Sequence, residues 1–97
     1  MTRTEHLLIL LMEECAEVQQ RASKALRFGL GEVQEGQPLD NRERLSVELA
    51  DVMAIVQMLV HNQDLGPAAW GFGQVEAKIA KVERWMTYSA TCVGGGR

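Results

Sequence analysis

The chain has 97 residues, 46% apolar and 24% charged, which describes one folded domain rather than a disordered segment. A net charge of −3 and a pI of about 5.3 argue against a general nucleic-acid binder. The longest apolar run, Leu7 to Met12, is six residues against the roughly 18 of a membrane span and lacks the layout of a secretory signal, so the reading is cytoplasmic, with no membrane partner.

Residues 2–28 contain neither Gly nor Pro and are rich in helix formers. Thr2 and Glu5 have capping-box spacing, and Leu7, Leu11, Val18, Ala22 and Ala25 form one apolar stripe. Cys15 projects toward that side and is expected in the core; Cys92 stands in a glycine-rich tail. No C-x-x-C is present, so zinc and redox motifs of that type are excluded. Gly29, Gly31, Gly36 and Pro38 punctuate residues 29–39. Asp40 and Glu43 then cap a second helix over 41–64, with its stripe at Leu45, Leu49, Val52, Val56, Leu59 and Val60. Gly66-Pro67 ends it, and 67–73 is a connector carrying Trp70 and Phe72. A third helix over 74–88 presents Val75, Ile79, Val82 and Met86, and the tail over 91–97 is expected to be loose. The fold class is all-α: a long antiparallel hairpin plus a third, C-terminal helix, in one domain over 1–90. A domain this small buries little, so oligomerisation is expected to complete a four-helix bundle.

The chemistry lies in the carboxylates. Helix one carries Glu13-Glu14-Cys15-Ala16-Glu17 and helix two carries Glu48-Leu49-Ala50-Asp51. Members of an i, i+3 pair project roughly 60° apart. Glu14 with Glu17, and Glu48 with Asp51, therefore flank the same margin of their apolar stripes. Glu14 with Asp51, and Glu17 with Glu48, are also equidistant from a point between residues 32 and 33, inside the breaker segment. An antiparallel hairpin brings both pairs to one height. Oxygen donors converging there suit Mg²⁺, with Mn²⁺ as substitute, and Mg²⁺ binds phosphates. The bland alternative is a solvated acidic face with neighbours such as Arg21.

The stretch E-E-C-A-E-V-Q-Q-R-A-S-K-A-L-R-F-G followed by E-L-A-D resembles the E-E-x-x-E and E-x-x-D pattern of the MazG-like all-α nucleoside triphosphate pyrophosphohydrolases, over about residues 5–64. It looks most like the short single-domain bacterial and phage type. The resemblance implies a helical homodimer or homotetramer that hydrolyses an NTP or dNTP to the monophosphate and pyrophosphate with Mg²⁺. Carried over by position, it makes Glu14, Glu17, Glu48 and Asp51 metal ligands. Glu13 then helps hold another metal or orients the attacking water.

The resemblance also implies phosphate-binding cations on a later helix. Lys78, Lys81 and Arg84 are the candidates, with Lys24 and Arg27 further ones; each is equally readable as a solvated cation. Phe28, Trp70, Phe72 and Trp85 are most of the aromatic supply, and Trp70, flanked by glycines, is the candidate for stacking on a base. His6 and His61 lack E-x-x-H spacing and read as helix-surface or interface residues; Met12, Met53, Met58 and Met86 read as packing residues. The alternative to the enzyme is a non-enzymatic helical module that dimerises through its apolar stripes.

Overall fold

The computed structural model describes residues 1–88, so the tail expected over 91–97 lies outside the described residues. The described chain is all-helical: α1 (Arg3–Phe28), α2 (Asn41–His61), a 3-10 turn (Pro67–Trp70) and α3 (Phe72–Tyr88). No helix among the described residues is long and apolar enough to cross a membrane.

Local chemistry sets each boundary. At the start of α1 the Glu5 N–H donates to Thr2 Oγ1 and the Thr2 N–H donates to Glu5 Oε1, so the capping box is complete. Gly29, at φ +97°, ends the helix in a backbone conformation that only glycine adopts without strain. Asp40 caps α2, its Oδ1 accepting the Glu43 N–H at 2.9 Å. That helix closes at His61, three residues before the expected 64. The Gln63 N–H donates to the Val60 carbonyl and the Asp64 N–H to the Leu59 carbonyl, with Gln63 left-handed at φ +63°. This is a Schellman closure achieved without glycine. In the second compact unit, which begins at Pro67, α3 starts at Phe72 rather than at Gln74. The Val75 N–H already donates to the Gly71 carbonyl.

α1 and α2 pack as an antiparallel hairpin within a compact unit of residues 1–66. Leu7 and Leu59 are buried completely, while Leu11, Val18, Leu45, Val52 and Val56 are half-buried between the helices. Hydrogen bonds tie both ends. At the loop end the Asn41 amide, buried, donates to the Gly29 carbonyl at 2.9 Å and to Glu32 Oε1 at 3.1 Å. The Asn41 and Arg42 N–H groups donate to the Glu32 and Leu30 carbonyls. At the open end Thr4 Oγ1 donates to Asp64 Oδ1 at 2.8 Å, and Asn62 Nδ2 donates to Thr4 Oγ1 at 3.0 Å.

The loop clasp gives a direct expectation. Asn41→Leu removes the amide's two hydrogen bonds and leaves the Gly29 carbonyl only the longer contact from the Glu32 N–H, at 3.4 Å. It is expected to cost about 2–3 kcal/mol in urea denaturation. A loss below about 0.5 kcal/mol would show that the loop holds without it.

Several packing expectations are corrected. Cys15, expected in the core, is exposed. The two-helix contact is narrow, and about 80° of rotation carries Cys15 past Leu7 and out of it. Leu49 and Ala22 leave their stripes the same way. Met12, Met53, Met58 and Met86 are exposed rather than packed in this chain, and so is the Val75, Ile79, Val82 and Met86 face of α3. His6 and His61 are at the surface, as expected.

Counting about 100° per residue, the hairpin has two unlike edges. Glu17, Arg21 and Asp51 fall on one side of the buried stripe. Leu8, Met12, Cys15, Leu49 and Met53, all exposed, fall on the other.

Candidate metal centre

α1 supplies Glu14, and one turn of α2 supplies both Glu48 and Asp51. One carboxylate oxygen from each of these three residues lies within 4.8 Å of the others. Glu14 and Glu48 are half-buried and Asp51 is exposed, so the group opens at one edge of the hairpin.

The electrostatics are those of crowded like charges. The Glu14 carboxyl is held above the usual carboxylate range. A hydrogen bond with Glu48 is the main cause; partial desolvation and the charges of Glu48, Asp51 and Glu17 add to it. Glu48 Oε2 is shut off from solvent and accepts no hydrogen bond from the protein. A buried carboxylate oxygen needs a donor or a cation. A proton on Glu14 supplies one solution and a divalent cation another. Three hard oxygen donors, one of them on a residue that carries a shielded, unsatisfied oxygen, fit Mg²⁺ or Mn²⁺ in charge and ligand type.

The sign of a pH effect follows. A group whose pKa is raised by folding contributes stability below its unfolded value and loses it as pH rises through the folded value. In EDTA, wild type is therefore expected to lose stability relative to Glu14→Gln as pH rises from the ordinary glutamate value of 4.5. Urea midpoints of the two proteins across pH 4–8 measure this; parallel curves would show that Glu14 titrates normally.

The remaining sequence candidates fall elsewhere. Glu17 is not among the three converging residues; its Oε2 stands 4.0 Å from Arg21 Nη2. Glu13 is exposed and also apart from the three. Lys78, Lys81 and Arg84 are exposed along α3, in the second compact unit. Lys24 is half-buried, and the Arg27 guanidinium lies 4.9 Å from the centre of the Phe28 ring. Trp70 closes the 3-10 turn, its side chain outside the described set.

A cavity of about 220 Å³ adjoins the carboxylates, between the two helices and the loop. Arg21, Arg44 and Glu48 line it together with Gln37, Pro38 and Leu39. Spacing had marked Arg21 only as an ion-pair neighbour, and Arg44 and Gln37 belong to no motif. The signal that finds them is spatial: i, i+4 from Arg44 reaches Glu48, and the loop folds over that turn. No protein-family model matches the chain, and neither does any curated protein or solved structure.

Proposed function

We propose that this chain is a divalent-metal-dependent nucleoside triphosphate pyrophosphohydrolase of the MazG-like kind, acting on an NTP or dNTP. One observation carries the reading: Glu14, Glu48 and Asp51, drawn from the two motifs that resemble that family, each bring one carboxylate oxygen within 4.8 Å of the others. These three would hold the ion, with Glu17 one turn along α1 completing the acidic set. When bound, Mg²⁺ or Mn²⁺ lowers the pKa of a water and neutralises charge developing on the phosphate. The resemblance gives Glu13 the part of holding another metal or orienting the attacking water, although it stands apart from the three. Water oxygen bonds to the α-phosphorus, the bond from that phosphorus to the bridging oxygen breaks, and pyrophosphate leaves. Lys78, Lys81, Arg84 and Trp70, the cations and ring that the resemblance suggested, belong to the second compact unit.

The exposed apolar edge with Leu8, Met12, Leu49 and Met53 is the surface on which a second hairpin completes a four-helix bundle. It lies opposite the acidic edge, so pairing there leaves the carboxylates open to substrate.

The test is pyrophosphate release from a panel of canonical and modified NTPs and dNTPs in Mg²⁺, Mn²⁺ and EDTA, with light scattering on the same sample. Metal-dependent release from an assembly of two or four 10.8 kDa chains is expected. No release from any nucleotide, with no metal-induced rise in Tm, would leave a helical interaction module with a solvated acidic edge.

A further inference from the structure

The cavity beside the carboxylates is lined by two arginines, Arg21 and Arg44, as well as by Glu48. Arg21 Nη1 is shut off from solvent and donates to nothing in the protein, although its side chain is only 18% exposed. Its sister nitrogen reaches Glu17 only at 4.0 Å. Glu48, which also lines the cavity, carries an acceptor in the same state, Oε2, yet the two atoms do not hydrogen-bond each other. A cavity lined by two guanidinium groups and by a carboxylate suits a ligand that carries anionic oxygens and a cation together. A metal-chelated polyphosphate has that composition.

We propose that this cavity holds the β- and γ-phosphates of the triphosphate, with Arg21 and Arg44 as their donors. The inference rests on the pyrophosphohydrolase reading and deepens it by assigning phosphate recognition to the hairpin itself. Arg44 is prepared for the role. Its Nη1 donates to Gln34 Oε1 at 2.9 Å, which takes one of its five donors and holds the guanidinium against the loop. A guanidinium fork matches phosphate oxygens, and charge-assisted bonds of this kind are about twice as strong as neutral ones. A base would want a ring to stack on, and among the described lining residues none is aromatic. Placing the leaving pyrophosphate here sets the cavity next to Glu48, so one residue borders both the metal and the departing group.

Two readouts keep this inference separate from the function it rests on. Calorimetry with inorganic triphosphate in Mg²⁺ reports the cavity. The Tm rise produced by Mg²⁺ alone reports the carboxylates. Arg21→Gln and Arg44→Gln are each expected to weaken triphosphate binding at least about tenfold while keeping the Mg²⁺-induced Tm rise. Arg21→Lys keeps the stem and the charge but loses the fork, and should fall between; it decides the matter if the glutamine variant fails to fold. Both arginine variants binding triphosphate like wild type, or wild type not binding it, would overturn the proposal. So would loss of binding in a Lys78→Gln, Lys81→Gln, Arg84→Gln triple variant with the arginine variants unaffected. Absence of an Mg²⁺ effect on wild-type Tm, with triphosphate binding still lost in Arg21→Gln, would retain the anion site and overturn the metal-dependent function.

Discussion

Glu48→Gln is expected to remove metal-dependent pyrophosphate release by a factor on the order of 10³ or more while leaving the hairpin folded. The substitution is nearly isosteric, so packing between α1 and α2 is kept. It deletes the charge on the one residue that both joins the three-carboxylate group and carries a shielded, unsatisfied oxygen. The Mg²⁺-induced rise in Tm should vanish with the activity, because an ion that binds only the folded protein stabilises it in proportion to its affinity. In EDTA the variant should be as stable as wild type or more so. One like charge is gone, and the new amide donates to Glu14 where a shared proton was needed before. Turnover retained in Glu48→Gln would remove Glu48 from the mechanism. A large loss of stability in EDTA would make it a structural residue.

The second large effect lies in packing. Leu59→Ala is expected to cost about 3 kcal/mol, the ordinary range for truncating a fully buried leucine. Leu59 and Leu7 are the two fully buried apolar side chains among the described residues. Counting along the antiparallel hairpin, they stand at nearly the same height. A domain of this size has a total stability near the low end of about 5–15 kcal/mol, so this single change removes a large share of it. Leu26→Ala, at a position 88% exposed, is the control and should stay within about 0.5 kcal/mol of wild type. Urea denaturation at one fixed protein concentration measures both. Equal midpoints for the two variants would mean that burial of Leu59 does not anchor the hairpin.

The parts of the fold written in short-range chemistry were legible. The Thr2–Glu5 box, the Asp40 cap and the Gly29 stop are each set by residues within four positions, and the structure places all three as their spacing predicts. The antiparallel register was also readable, because Glu14 and Asp51 are equidistant from the breaker. What failed was depth. Periodicity says that Cys15, Leu49 and Ala22 lie toward an apolar side, but it cannot say how wide the contact is. Two helices bury a narrower strip than the stripe is broad. The end of α2 failed for a different reason: a Schellman closure with Gln63 in place of glycine carries no compositional mark. Within the candidate site, Glu14, Glu48 and Asp51 were found from spacing, and Arg44 was not. It stands i, i+4 from Glu48 on α2, but the cavity they share is closed by a loop that is joined to α2 through Asn41 and Gln34.

The two sets of hydrogen bonds at the ends of the hairpin have a consequence for how the sequence can change. Thr4 is tied to Asn62 and Asp64 at one end, and Gly29 to Asn41 at the other, with Glu14 between them. One residue inserted into α1 between Glu14 and Gly29 would rotate the helix by about 100° and shift it by about 1.5 Å. No sliding of α1 then satisfies both fastenings and keeps Glu14 opposite Asp51. An insertion between Val33 and Gln37 lies inside the segment that Asn41 and Arg42 close, and the two helices never register it. The carboxylates are thus locked in phase, while the cavity wall beside them is free to vary in length. The wall can therefore change across descendants of this sequence without any adjustment of the acidic group.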